Sequence, residues 1–236
     1  MIKKVAMIRF GSLGINFGEI PSHELYKFKK QLGICGESSV TLLQTDQKNI
    51  LIDTGFKNEG MLSPKNIAMN QREMIHLLGY HSLTPEKIDE IFITHWHHDH
   101  FGNLPIFPNA SLFFAGVSEK YVMQRLAKIG MTMDIFQLKS NAEWHEGIST
   151  LATPGHNKSH HSIIINYNEK CLISAGDAIV AKGYYDFDEI YPYNGDFYSK
   201  KIALQSMHAM IQRADIIIPG HDQPFQNWRK KNIDEA

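Results

Sequence analysis

The stretch Ile93-Thr94-His95-Trp96-His97-His98-Asp99-His100 decides how the rest of the chain is read. His95, His97, Asp99 and His100 follow the spacing H-x-H-x-D-H. His95 and His97 stand two positions apart. On extended backbone such side chains point to the same side, so two imidazoles can converge on one ion. Asp99 and His100 follow where the chain is expected to turn into a helix, which swings them to the other side and toward a second ion. Imidazole and carboxylate donors suit zinc, iron or manganese, whereas calcium asks for mostly oxygen ligands.

Further histidine and aspartate signals lie at Leu51-Ile52-Asp53-Thr54-Gly55, Thr153-Pro154-Gly155-His156, Ala175-Gly176-Asp177 and Pro219-Gly220-His221. Taken in this order with H-x-H-x-D-H, they resemble the metallo-β-lactamase superfamily of hydrolases from about residue 38 to residue 225. The resemblance implies a four-layer αββα sandwich. It also implies that His95, His97 and His156 bind a first metal, that Asp99, His100 and His221 bind a second, and that Asp177 bridges both. Two divalent ions about 3.5–4 Å apart can hold a hydroxide between them, and metal binding lowers the pKa of water toward about 7. Zinc is expected, with iron or manganese as alternatives. Asp99 is the expected catalytic residue: it steadies the hydroxide and takes a proton when the leaving group departs. The counterpart of Asp53 in the family lies beneath the metal ligands, where a carboxylate accepting a ligand histidine's other N–H orients the ring.

The expected function is a dinuclear hydrolase of a small ester, lactone or thioester. Two alternatives stand beside it: a metal-dependent phosphodiesterase or ribonuclease, and a mononuclear iron redox enzyme. Asp177 stands where lactam-hydrolysing members carry a second-site cysteine, and the short stretch after His221 has no room for the helical glutathione-binding extension of hydroxyacylglutathione hydrolases. Gly102-Asn103-Leu104 and Pro219-Gly220-His221-x-x-Pro224-Phe225 look like the small stand-alone metallo-β-lactamase domain-containing proteins. Leu77-Leu78-Gly79-Tyr80 and the spacing from Asp177 to His221 are similar to acyl-homoserine lactonases, although the tyrosine those enzymes carry three residues after the bridging aspartate is Val180 here.

Composition bounds the partners. A chain of 236 residues with 43% hydrophobic content is expected to form one domain, 1–236, with an ample core. Its net charge of −1 offers no basic surface for nucleic acid or membrane. No apolar segment is long enough to span a bilayer, and no signal peptide is read at the start. Cys35 and Cys171 are too few for a disulfide framework and sit beside apolar residues, so buried thiols in a reducing cytoplasm are expected. The expected partner is a small-molecule substrate; the oligomeric state is left open, with a homodimer as one option.

Local patterns place the motifs. Residues 2–10 read as a strand and 11–37 as irregular, punctuated by Gly11, Gly14, Gly18, Pro21, Gly33 and Gly36. Hairpins are expected about Thr45-Asp46-Gln47-Lys48 and about Asn168-Glu169-Lys170. Helices are expected over 70–80, from a Thr84 cap before Pro85, over 117–126, and over 199–213 with Leu204, Met207, His208 and Ile211 on the packed stripe. Residues 130–147 could form a flap. The ligand candidates fall repeatedly just after strands. Tyr184, Tyr185, Tyr191 and Tyr193, in the run 184–193, could wall a pocket for an apolar acyl or ring-bearing substrate, and the acidic residues among them disfavour a polyphosphate. His98 is expected to point away from the ligands, and His160 and His161, which follow His156 closely, to face solvent, with lining the site as the alternative. His23, His76, His81, His145 and His208 are expected at the surface or satisfied in the core.

Overall fold

The computed structural model describes residues 1–13, 36–58, 63–192 and 195–230. Gly14, Gly18, Pro21, His23, Gly33, Cys35 and Tyr193 lie outside the described residues. Two six-stranded sheets face each other, with helices on their outer sides. The first sheet has the order β1 (Ile2–Arg9), β4 (Val40–Thr45), β5 (Asn49–Ile52), β7 (Glu90–Phe92), β8 (Ser111–Phe114) and β9 (Ile135–Gln137). The second has the order β10 (Glu143–His145), β11 (Ile148–Ala152), β12 (His161–Tyr167), β13 (Lys170–Gly176), β14 (Ile216–Pro219) and β15 (Phe225–Gln226). Both expected hairpins form, pairing β4 with β5 and β12 with β13 antiparallel. The β5–β7, β7–β8 and β13–β14 pairs are parallel, so their crossovers carry helices.

Side-chain alternation builds the layers. Leu42, Leu51, Ile91 and Leu112 pack on the outer face of the first sheet against Met74 and Leu78 of helix α1 (Pro64–Gly79). Leu43, Ile50, Ile52 and Phe92 point the other way and meet Ile148, Ile163, Ile165 and Leu172 between the sheets. Ile173, Ala175 and Ile217 face out from the second sheet onto Met207, Met210 and Ile211 of a helix over Lys200–Ile211. The αββα sandwich follows from these three apolar clusters.

Several expectations are corrected. Ser12–Leu13 (β2) and Gly36–Glu37 (β3), expected to be irregular, pair with each other, and the latter also with Lys57–Asn58 (β6), in a small third sheet. Thr84 makes no side-chain cap, and Pro85–Lys87 is a single 3₁₀ turn. Residues 130–147 are no flap: β9 and β10 close the edges of the two large sheets. On the helix over Lys200–Ile211, the buried stripe is Ala203, Met207, Met210 and Ile211, while His208 is exposed and bonds Asp188. Met207 and Ile211 of the expected stripe are buried and Leu204 packs against the same cluster, so His208 alone departs from it. Cys171 is a half-buried free thiol rather than a fully buried one.

Candidate metal centre

Strand ends deliver the charged side chains to one edge of the sandwich. β7 ends at Phe92, and the following residues turn into the four-residue helix His98–Phe101. His95 and His97 precede that helix; Asp99 and His100 lie on it. His156 follows β11, Asp177 follows β13, and His221 follows β14. Four residues therefore come from the first sheet and three from the second.

Two clusters result: His95, His97, His156 and Asp177, and Asp99, His100 and His221, each with its donor atoms within 4.8 Å of one another. All seven sequence-derived candidates fall into them. Nδ1 of His97 lies 2.9 Å from Nε2 of both His95 and His156. The Asp177 carboxylate stands between the clusters. Its Oδ2 is 3.2 Å from Nε2 of His156 and 3.8 Å from that of His95, and its Oδ1 is 3.2 Å from Nε2 of His100 and 3.4 Å from that of His221. Asp99 Oδ2 lies 3.2 Å from Nε2 of His221.

The donor set suits cations. Both Asp177 oxygens, Asp99 Oδ2, His100 Nε2 and His221 Nε2 are buried and, among the described residues, have no hydrogen-bond partner, though they face one another. Buried polar atoms are normally bonded, and a group of them converging without partners is what a metal would satisfy. Burial opposes charge on Asp177, yet His221 and His100 outweigh it and hold the carboxyl well below its usual range. Burial opposes charge on His221 as well, but the Asp177 and Asp99 carboxylates push its pKa up to about 10. In His156 burial wins and brings the imidazole down to about 3. The first cluster thus offers neutral nitrogen at His156, while in the second the Asp99 and Asp177 carboxylates favour the protonated form of His221.

The supporting contacts aim these donors. Asp53 accepts the Thr94 backbone N–H at Oδ1 (2.8 Å), and its Oδ2 takes both the Thr94 hydroxyl and the His100 Nδ1–H at 2.8 Å. With Nδ1–H donated to Asp53, Nε2 is the His100 nitrogen turned to the centre. Asp53 holds a left-handed backbone (φ 60°), a conformation aspartate tolerates better than most residues. At Gly220 a Cβ would overlap Asp177 Oδ1, so only glycine lets this carboxylate lie flat on the β14 turn.

The clearest error of sequence reasoning is His160, expected in solvent. It is fully buried behind Asp177, its Nε2 accepting the Asp177 N–H (3.0 Å) and its Nδ1 lying 2.9 Å from the Thr153 hydroxyl. Burial keeps His160 well below its ordinary pKa, so it stays neutral and can accept that bond. His161 is buried too, between Ser140 and the Ser159 carbonyl. His98 turns from the clusters onto the Phe56 ring, as expected. Thr94 and Asp196, which bonds His97 Nε2 at 2.7 Å, carried no sequence signal.

A narrow cleft opens beside His156 and Asp177, lined by Ile179, Val180, Tyr184, Glu189, Tyr191 and Phe197 among others. Tyr185 is not in it: it is buried against Phe225 and bonds Asn227. Among the described residues no helix is long and apolar enough to cross a membrane.

The family model of the metallo-beta-lactamase superfamily matches residues 33–221. Metallo-beta-lactamase domain-containing protein 1 of Xenopus laevis is 27% identical over 193 residues, covering 80% of this chain and 72% of that protein. An N-acyl homoserine lactonase of Bacillus cereus is 24% identical over 207 residues, covering 77% of this chain and 79% of the lactonase. Other curated relatives are longer, and the chain spans only 61% and 44% of two of them. Among solved structures, Bacillus thuringiensis AiiA with N-decanoyl-L-homoserine at its active site superposes with a TM-score of 0.61 at 19% identity, over 80% of this chain and 83% of that one. Matched along most of its length, and with its histidine and aspartate donors gathered at the strand ends, the chain belongs to the metallo-beta-lactamase superfamily of metal-dependent hydrolases.

Proposed function

We propose that residues 1–236 form one hydrolase domain holding two divalent ions, zinc in the first instance, and cleaving a small uncharged ester, lactone or thioester. His95, His97, His156 and Asp177 would hold one ion; Asp99, His100, His221 and the other oxygen of Asp177 would hold the second. Bound there, the ions would supply an activated water and a Lewis acid for the scissile carbonyl. The observation that carries this reading is the Asp177 carboxylate, with one oxygen turned to each cluster.

The protein's own groups supply the rest. Asp99 is buried, and its carboxyl stays below the ordinary range because His100 and His221 outweigh the burial that would raise it. It is placed to accept a proton and pass it to a leaving oxygen or sulfur. Ile179, Val180, Tyr184, Tyr191 and Phe197 form an apolar wall beside His156 and Asp177. Glu189 in the same cleft disfavours anionic substrates, which weighs against a phosphodiester. The likeness to N-acyl homoserine lactonases makes a lactone with an acyl chain the natural first substrate.

The test is a panel of lactones, thioesters, carboxylic esters and phosphodiesters assayed against protein of measured metal content. Lactone or ester turnover that tracks a stoichiometry of two ions supports the proposal. Steeply salt-dependent RNA binding with metal-dependent cleavage would replace it by the nuclease alternative. One tightly held iron with oxygen consumption would replace it by the redox alternative.

A further inference from the structure

His97 differs from the other histidines of the two clusters. Its side chain is 21% exposed, whereas those of His95, His100, His156 and His221 are at most 2% exposed. Its Nδ1 faces His95 and His156, and its Nε2 points outward to Asp196 Oδ1 at 2.7 Å. Asp196 precedes Phe197, which lines the cleft. Two residues further on, the backbone N–H of Tyr198 donates to the carbonyl of Gly155 (3.0 Å), next to His156. The segment 195–199 is therefore fastened at both ends of the same histidine pair: through a side chain to His97, and through the backbone beside His156.

We infer that Asp196 is a positioning residue that fastens the cleft wall to the metal centre through His97. The inference rests on the reading of His97 as a metal ligand. An imidazole that gives Nδ1 to a metal must carry its proton on Nε2, and a carboxylate 2.7 Å from that nitrogen holds both the tautomer and the ring plane. The coupling runs both ways. Metal at Nδ1 strengthens the Nε2–H donor and so draws Asp196 and Phe197 onto the site. Loss of the metal leaves Nε2 free to exchange its proton with Nδ1 and releases the wall.

The test compares Asp196→Ala, Asp196→Asn and His97→Ala in the full chain. Zinc affinity is measured by competition with a chromophoric chelator, and amide hydrogen exchange over 187–199 is followed with and without zinc. Losing a partner of a ligand histidine costs about 10–100-fold in metal affinity, and a carboxylate half in solvent belongs at the low end. Asp196→Ala is therefore expected to weaken one zinc site about tenfold and to abolish the zinc-dependent protection of 187–199. Asp196→Asn, which keeps an acceptor oxygen, is expected to restore most of both. A merely structural aspartate would change exchange equally with and without zinc. If Asp196→Ala keeps the parent's zinc affinity and protection while His97→Ala loses a zinc ion, the inference is overturned and the ligand reading stands. If His97→Ala keeps both ions at parental affinity, the ligand reading itself fails.

Discussion

Two aspartates illustrate how residues of one type take different work from their surroundings. Asp99 faces His221 across 3.2 Å and keeps its charge although it is buried. Asp99→Asn preserves the shape and removes the proton-accepting oxygen. Turnover of the best substrate is expected to fall roughly a hundredfold or more. Metal content must be measured alongside, and near-normal turnover would remove Asp99 from the mechanism. Asp53 instead faces away from the cleft and acts through His100 and Thr94. Asp53→Ala leaves the Thr94 amide without its acceptor, at a cost of about 1–3 kcal/mol in urea unfolding. It also frees the His100 ring, and metal affinity is expected to fall by about 10–100-fold in chelator competition. Asp53→Asn, which still accepts at one oxygen and tolerates the left-handed backbone, should fall between Asp53→Ala and the parent.

At the scale of elements, the helix over Lys200–Ile211 matters beyond its own packing. Ser199 caps its start by accepting the Ile202 N–H, and Ser206 bonds the Pro154 carbonyl at 2.7 Å. The same helix packs so closely on Gly155 that a Cβ there would overlap Ala203. The loop that delivers His156 is thus seated on this helix. Met207 lies beneath it and is fully buried. Met207→Ala is expected to cost about 2–5 kcal/mol by urea denaturation, the range for truncating a buried methionine. A cost below about 1 kcal/mol would mean that the second sheet does not depend on this helix for its cover.

The whole molecule has two sheets whose strand ends share one centre, so cations at that centre would staple them together. Removing the ions should therefore lower stability globally rather than locally. At free metal a hundredfold above its dissociation constant, the gain is about 2.7 kcal/mol per site. Calorimetry before and after chelator treatment is expected to show a lower Tm that metal restores, and an unchanged Tm would mean that the ions bind weakly or not at all. A second link between the sheets lies at the other end of β7. Glu90 at the start of β7 is buried and bonds Lys48 and, at 2.6 Å, His145 on β10 of the other sheet.

Much of this was legible in the sequence because its determinants are local. Short apolar runs on either side of the polar turns at 45–48 and 168–170 dictate the paired strands, and the H-x-H-x-D-H spacing places imidazoles on one side of an extended segment and a carboxylate on the next turn. The order of the histidine and aspartate motifs, read through the resemblance to the superfamily, singled out seven candidate donors, and the structure gathers them at one edge. What the tertiary structure alone decided depends on long-range approach. His160 has the same local pattern as an exposed loop histidine, and only the arrival of the Asp177 amide beside it makes it a buried acceptor. Asp196 meets His97 across 99 positions of chain, a contact no spacing rule encodes. Residues 130–147 lack strong periodicity because each of their strands is only three residues long and sits at an edge, where a neighbouring sheet supplies the order that the segment itself does not specify.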